Sequence, residues 1–215
     1  MVCGGRGQLN GQSMETSIVH VVDDDEDVRK GTARLIAAAG FKARTYASAQ
    51  DFLNVIEPDS PGCVILDLRL PDYSGLDLQA ALARRGVPIP IVFVSGHGAI
   101  PDSVRAIRGG AVDFLTKPVD AKALLAAVER ALAQDEETRS TRDRKDELRK
   151  RYERLTARER EVFRHLIRGQ LNKQVAADLQ ITERTIKLHR ANLLQKLEVT
   201  SMAELVRLAV DLGIE

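Results

Sequence analysis

Four short apolar runs, each ending in a different chemical group, constrain this chain more than any other feature. Ile18-Val19-His20-Val21-Val22 ends in Asp23-Asp24-Asp25, and Cys63-Val64-Ile65-Leu66 ends in Asp67. Ile91-Val92-Phe93-Val94 ends in Ser95, and Asp113-Phe114-Leu115-Thr116 ends in Lys117-Pro118. Read as strands of an open parallel sheet, the runs deliver an acid pair, an acid, a hydroxyl and an ammonium to one crevice at their carboxyl ends. Carboxylates gathered there need a cation. An ammonium and a hydroxyl beside them suit a phosphoryl group. The pattern therefore predicts an aspartate, Asp67, that can be phosphorylated.

The stretches between the runs are helical in character. Val28–Ala39 has helical spacing and stops at Gly40, Ser48 opens a helix through Val55, Ser74 opens another through Arg85, and Pro101–Gly109 is a fourth. Phe41–Tyr46 supplies a further β segment. Five alternating βα units predict a five-stranded, doubly wound parallel sheet over residues 17–120. Residues 1–16 are Gly- and Gln-rich without an apolar core, which predicts a disordered tail rather than a signal peptide, with Met14 as a candidate native start. No apolar run approaches the roughly 18 residues that span a bilayer, so the expected location is the cytoplasm, with no membrane partner. Two cysteines, Cys3 in the tail and Cys63 in a buried run, predict neither a disulfide nor a thiolate metal site.

Charge separates the chain further. Residues 17–120 hold 11 basic and 14 acidic side chains, net −3, whereas residues 121–154 and 155–215 each hold 10 basic and 8 acidic, net +2. Residues 121–154 have no Gly or Pro. After Leu124, Leu125, Val128, Ala131 and Leu132 they turn mostly charged, with pairs such as Asp146 and Lys150 at helical spacing. This predicts a long helix continuing the last helix of the sheet domain as a solvated spacer. The alternative is a partial dimer coil through Leu148, Tyr152 and Leu155.

From Leu155 the pattern is purely helical. Thr156-Ala157-Arg158-Glu159 is a capping box that opens a helix to Arg168. Asn172–Leu179, Thr182–Leu197 and Ser201–Leu212 follow, the first two of these joined by Gln180-Ile181. Four short helices with a tight turn between the second and third predict a small all-α helix-turn-helix domain over 155–215. In its third helix Arg184, Lys187, Arg190 and Lys196 oppose only Glu183. Arg184, Lys187, Leu188 and Ala191 share a face: the cations suit guanine edges or phosphate, and the apolar pair suits thymine methyls. Lys173 and Thr182 stand at helix starts, where phosphate contact is favoured. A plain solvated basic face is the competing reading.

The acid site carries its own expected chemistry. A carboxylate oxygen of Asp67 attacks the phosphorus of a phosphohistidine donor and forms an acyl phosphate. Asp24 and Asp67 hold Mg²⁺, Asp23 orients a metal-bound water, and the Arg69 carbonyl supplies another ligand. Lys117 faces the phosphoryl oxygens, and Ser95 hydrogen-bonds one of them. Taken singly, Asp23–Asp25 are a helix cap and Ser95-Gly96 or Lys117-Pro118 plain turns; taken together, at four strand ends, they are hard to dismiss. A cis peptide bond is expected at Lys117-Pro118.

These residues resemble a known family. Val22-Asp23-Asp24, Leu66 through Gly75, Ser95-Gly96-His97-Gly98 and Gly110 through Pro118 are similar, over 17–120, to the response-regulator receiver domain. Leu155 through Glu159, Asn172-Lys173, Ile181-Thr182, Thr185 through His189 and Lys196-Leu197 resemble the LuxR-type helix-turn-helix domain. The combination resembles the NarL/FixJ class of two-component response regulators, on its FixJ-like branch. The resemblance implies a sensor histidine kinase as partner, promoter DNA as target and homodimerisation on activation. It implies transcription regulation, expected to be activation through RNA polymerase, rather than enzyme turnover. It implies that Phe114 turns inward when Ser95 engages the phosphoryl group, and that Arg69 and His97 tune the lifetime of the acyl phosphate. It places Thr185 in the DNA-binding block and gives the fourth helix a dimer role, with Met202, Leu205, Val206 and Ala209 as candidates of which some must pack on the bundle. Two other classes compete. A haloacid-dehalogenase-type hydrolase needs a second Asp two residues after the nucleophile, where this chain has Arg69. A relay protein whose bundle binds protein fits the basic third helix poorly.

Overall fold

The computed structural model describes residues 17–96 and 100–214. The expectations about the tail, Met14 and His97 lie outside the described residues. The chain divides into two compact units, one ending at Arg139 and the other beginning at Ser140.

The first unit alternates strand and helix throughout: β1 Ile18–Val22, α1 Glu26–Ala38, β2 Lys42–Tyr46, α2 Ala49–Leu53, β3 Gly62–Asp67, α3 Gly75–Arg84, β4 Ile91–Ser95, α4 Ile100–Arg108 and β5 Asp113–Thr116. Helix α5, Ala121–Glu153, begins here and runs on unbroken. The five strands are parallel in the order β2-β1-β3-β4-β5. Chain order reverses between β1 and β3, so the crevice of such a sheet opens between their carboxyl ends. Strands β1, β3 and β4 are almost wholly buried because helices cover both faces, and this is why they read as continuous apolar runs. Alternation still sorts their side chains. Cys63 and Ile65 of β3 face Ile36 of α1 and Leu124, Ala127 and Val128 of α5. Val64 and Leu66 face Phe52 of α2, Leu78 of α3 and Ala106 of α4. Caps set the helix starts: Asp25 accepts from Asp27 and Val28 N–H, Ser48 from Asp51 N–H and Ser74 from Asp77 N–H.

The second unit holds the end of α5 and four helices, α6 Ala157–Ile167, α7 Asn172–Asp178, α8 Glu183–Leu197 and α9 Met202–Leu212. Thr156 and Glu159 form the expected capping box. Val162, Phe163, Leu166, Val175, Ile186, Leu193, Leu197, Leu205 and Leu208 make its core. Among the described residues no helix is long and apolar enough to cross a membrane.

Helix α5 continues the last helix of the sheet domain, and most of its charged middle, residues 137–147, is exposed; the two ends are docked. Leu124, Ala127, Val128, Ala131 and Asp135 are buried in the first unit. Leu148 and Tyr152 pack on the core of the second unit. The run of charge concealed the docking of Asp135, Leu148 and Tyr152, whereas the apolar start at residues 124–131 was legible.

Candidate functional site

The carboxyl ends of β1 and β3 bring Asp23, Asp24 and Asp67 together, with one oxygen of each within 4.8 Å of the others. Asp23 and Asp67 are buried and Asp24 is exposed. Lys117, just past β5, reaches across and donates from Nζ to Asp23 Oδ2 at 2.7 Å and Asp67 Oδ2 at 2.9 Å. Backbone N–H groups take the remaining oxygens: Asp25 donates to Asp23 Oδ1 at 3.0 Å and Arg69 to Asp67 Oδ1 at 3.4 Å. Burial raises the pKa of Asp23, and the Lys117 ammonium works against that rise. For Lys117, burial alone would lower the pKa, but the hydrogen bonds and charges of Asp23 and Asp67 outweigh it and the net shift is upward. The ammonium thus stays charged, as a clamp over two acids must.

The rest of the rim follows from local sequence. Ser95 is buried at the end of β4, opposite Thr116, and its carbonyl accepts the Lys117 N–H at 2.8 Å. The Lys117-Pro118 bond is cis, as expected. Phe114 is half-buried and stacks beside Phe93 with ring centroids 6.1 Å apart. Arg69 is exposed in the loop after Asp67 and bridges to Ser74. Two features escaped the sequence reading. The carboxylate of Asp72 receives the Ala49 and Gln50 N–H groups at 3.3 and 2.9 Å, tying the loop after β3 to the start of α2. Gly75 sits so close to β3 that a Cβ there would lie 2.5 Å from the Asp67 carbonyl oxygen and 2.9 Å from Phe93. The Asp-X-Ser-Gly run held both signals, since Asp is a strong acceptor for free helix N–H groups and Gly permits close approach.

The donor set fits a hard divalent cation. Three carboxylates present oxygens to one point, and Lys117 engages only one oxygen each of Asp23 and Asp67.

In the second unit, α7 and α8 form the helix-turn-helix. The turn depends on Gln180, which adopts a left-handed φ of 53°, and on Ile181 N–H bonding to Ala176 O at 3.0 Å. Arg158 Nη2 holds the Leu179 carbonyl at 2.7 Å. Thr182 caps α8 by accepting the Thr185 N–H at 3.2 Å. Lys173, Thr182, Arg184, Lys187, Leu188 and Ala191 are exposed, with Leu188 60% exposed despite being apolar. Thr185 and Arg190 are half-buried, and Arg190 donates to Asn172 Oδ1 at 3.4 Å. Lys196 does not share the outer face: its Nζ pairs at 2.7 Å with the buried carboxylate of Glu159. Asn192 and Gln195 share that face instead. One turn beyond Ala191 lies Gln195, and one turn beyond Leu188 lies Asn192.

The dimer candidates divide. Leu205 and Ala209 are core residues, and Met202 is partly buried against the same core. Val206 points outward, and so does Val210, which is 72% exposed and was not expected. One face of α9 must close the bundle, so positions 205, 208, 209 and 212 turn in while 206 and 210 turn out. Tyr152 lies edge-on to Phe163 at 5.3 Å with Arg160 over its ring at 5.5 Å, and Leu148 packs on the same cluster. These two residues are therefore placed within the protomer rather than on a free seam.

A five-stranded sheet in this order, with an acid cleft clamped by lysine, and a helix-turn-helix in the second unit together define a phospho-signalling protein coupled to a DNA reader. Residues 19–129 match the response regulator receiver domain family, and residues 153–209 match the family of bacterial regulatory proteins of the luxR type. The chain belongs to the response regulators that join these two domains, and it is a DNA-binding transcription regulator of a two-component system rather than an enzyme. It is 43% identical over 199 residues to the response regulator protein TodT of Pseudomonas putida, covering 93% of this chain and 88% of that one. It is 38% identical to the transcriptional regulatory protein FixJ of Rhizobium meliloti, covering 91% and 96%. The solved structure of the response regulator StyR superposes with a TM-score of 0.84 at 45% identity, covering 91% of this chain and 98% of that one.

Proposed function

We propose that Asp67 is the phosphoryl acceptor of this regulator. The supporting observation is the Lys117 clamp across Asp23 and Asp67 at the carboxyl ends of the sheet. An Asp67 oxygen forms a bond to phosphorus as the P–N bond of a phosphohistidine on the partner kinase breaks, and the imidazole leaves with the bonding pair. Lys117 turns from the carboxylates to the added phosphoryl oxygens, and the Ser95 hydroxyl bonds one of them. Phe114, half-buried beside Phe93, moves with that change. Asp23, Asp24, Asp67 and the Arg69 carbonyl are the ligands proposed for Mg²⁺, whose bound charge offsets the repulsion between the acids and the incoming group. Arg69 and His97 are assigned to tuning the acyl-phosphate lifetime.

The output we propose is pairing of two chains on a two-fold promoter site and activation of transcription through RNA polymerase, in the cytoplasm. Lys173, Thr182, Arg184, Lys187, Leu188 and Ala191 form the DNA face, while Thr185 and Arg190 hold it in shape. Val206 and Val210 are the exposed large apolar residues of α9 available for pairing. The test is intact-mass measurement after incubation with acetyl phosphate and Mg²⁺. Wild type gains one phosphoryl group and Asp67→Asn gains none; equal modification of both would overturn the assignment.

A further inference from the structure

Helix α5 carries a buried acid where its spacing calls for an apolar residue. Leu124, Ala127, Val128 and Ala131 pack into the sheet, and one turn later the same face presents Asp135, only 4% exposed. Its Oδ2 accepts the Gly62 N–H at 3.0 Å and the Arg139 Nε–H at 3.0 Å. Gly62 is where β3 begins, beside Ile18 of β1, and a Cβ there would fall 1.9 Å from the Ile18 carbonyl oxygen. The absence of a side chain lets β3 start this close to β1, with its first N–H turned to the helix carboxylate. Burying a carboxylate is costly unless it is paired and hydrogen-bonded, and packing alone would be served by leucine. What the acid adds is a directional link to one backbone atom.

That atom belongs to the strand whose other end is Asp67. Beyond Arg139 the helix continues without a break to Glu153. We propose that Asp135 is a positioning residue for signal output: it latches α5 to the amino end of β3, so that the helix follows the strand that bears the phosphoryl acceptor. The proposal rests on Asp67 being that acceptor. Asp135 touches no reacting atom and acts through the helix. Cys63, fully buried beneath α5 and next to Gly62, is a natural reporter of the latch.

The experiment uses the full chain in a Cys3→Ser background, with Asp135→Ala and Asp135→Asn. Three quantities are read: phosphoryl incorporation from acetyl phosphate with Mg²⁺, labelling of Cys63 by a thiol reagent, and the gain in DNA affinity on phosphorylation. For Asp135→Ala, incorporation should stay near wild type. Cys63 labelling should accelerate roughly ten- to hundredfold, the shift expected when a hydrogen bond to a charged group is lost. The phosphorylation-dependent gain in DNA affinity should fall several-fold. Asp135→Asn keeps an acceptor for Gly62 but loses the charge facing Arg139, so it should lie between, and it carries the test if the alanine variant fails to fold. Unchanged labelling, or faster labelling with a full gain in DNA affinity, would overturn the proposal. If the wild type itself takes no phosphoryl group, the acceptor assignment has failed, and the labelling arm still decides whether the latch holds the helix.

Discussion

His20 shows how much a single residue can impose on a sheet. It lies buried in β1, its Nδ1 is 3.0 Å from the Tyr46 hydroxyl, and its ring meets Phe52 edge-on. Among the described residues its buried Nε2 meets no hydrogen-bond partner. Burial first, and Arg44 second, lower its pKa from 6.5 to about 4. The unfolded chain therefore binds a proton in that interval that the folded chain refuses. Stability should be fully present above pH 6.5 and decline as pH falls toward 4, by roughly 3 kcal/mol from this group alone. Urea unfolding at several pH values tests this, and His20→Phe should remove that part of the acid slope. Lys196 teaches a different lesson at the same scale. By charge count it belonged with the DNA-binding cations, yet it neutralises Glu159, whose carboxylate also completes the Thr156 cap. Lys196→Met should lower the thermal midpoint while leaving the salt dependence of DNA binding unchanged.

Elements carry the next predictions. Helix α3 starts against the end of β3 with no room for a methyl group at Gly75. Gly75→Ala should destabilise the sheet domain by about 1–3 kcal/mol, the usual range for forced overpacking. It should also slow phosphoryl incorporation, because the atom in the way is the Asp67 carbonyl oxygen. Calorimetry and the incorporation rate check the two effects separately. On α8 the exposed Lys187 is proposed for phosphate or base contact. Lys187→Ala should weaken DNA binding and lower the log–log salt slope by about 1 if it grips phosphate. A loss confined to certain sequences, with the slope intact, would instead assign it to a base edge.

The same scale explains what could be read in advance. Parallel strands deliver their next residue to one edge, so Asp23, Asp67, Ser95 and Lys117 were legible as a set from four short runs. Caps such as Thr156 and Ser74 were legible because their chemistry is local. The inward and outward faces of α9 were not, since apolar residues occupy both and only the rest of the bundle decides which side closes. Asp135, Leu148 and Tyr152 were obscured similarly. In a helix of mostly charged residues, a docked acid looks like any other, and two isolated apolar residues look like a weak coil.

In the whole molecule, the proposed phosphorylation couples one covalent event to one change in affinity. The cleft that holds Asp67 lies in the first unit and the reading helix α8 in the second, and α5 is the covalent element common to both. The structure holds Asp67, the proposed phosphoryl acceptor, under Lys117 and leaves a basic face of α8 exposed. The most direct test is the affinity of full-length wild type and Asp67→Asn for duplex DNA bearing a bound two-fold site, measured at fixed salt with and without acetyl phosphate and Mg²⁺. The account predicts that the phosphoryl donor tightens wild-type binding about tenfold or more, the scale of a typical allosteric coupling, and leaves Asp67→Asn unchanged. Equal tightening of both proteins, or none in a wild type shown by mass to be phosphorylated, would contradict it.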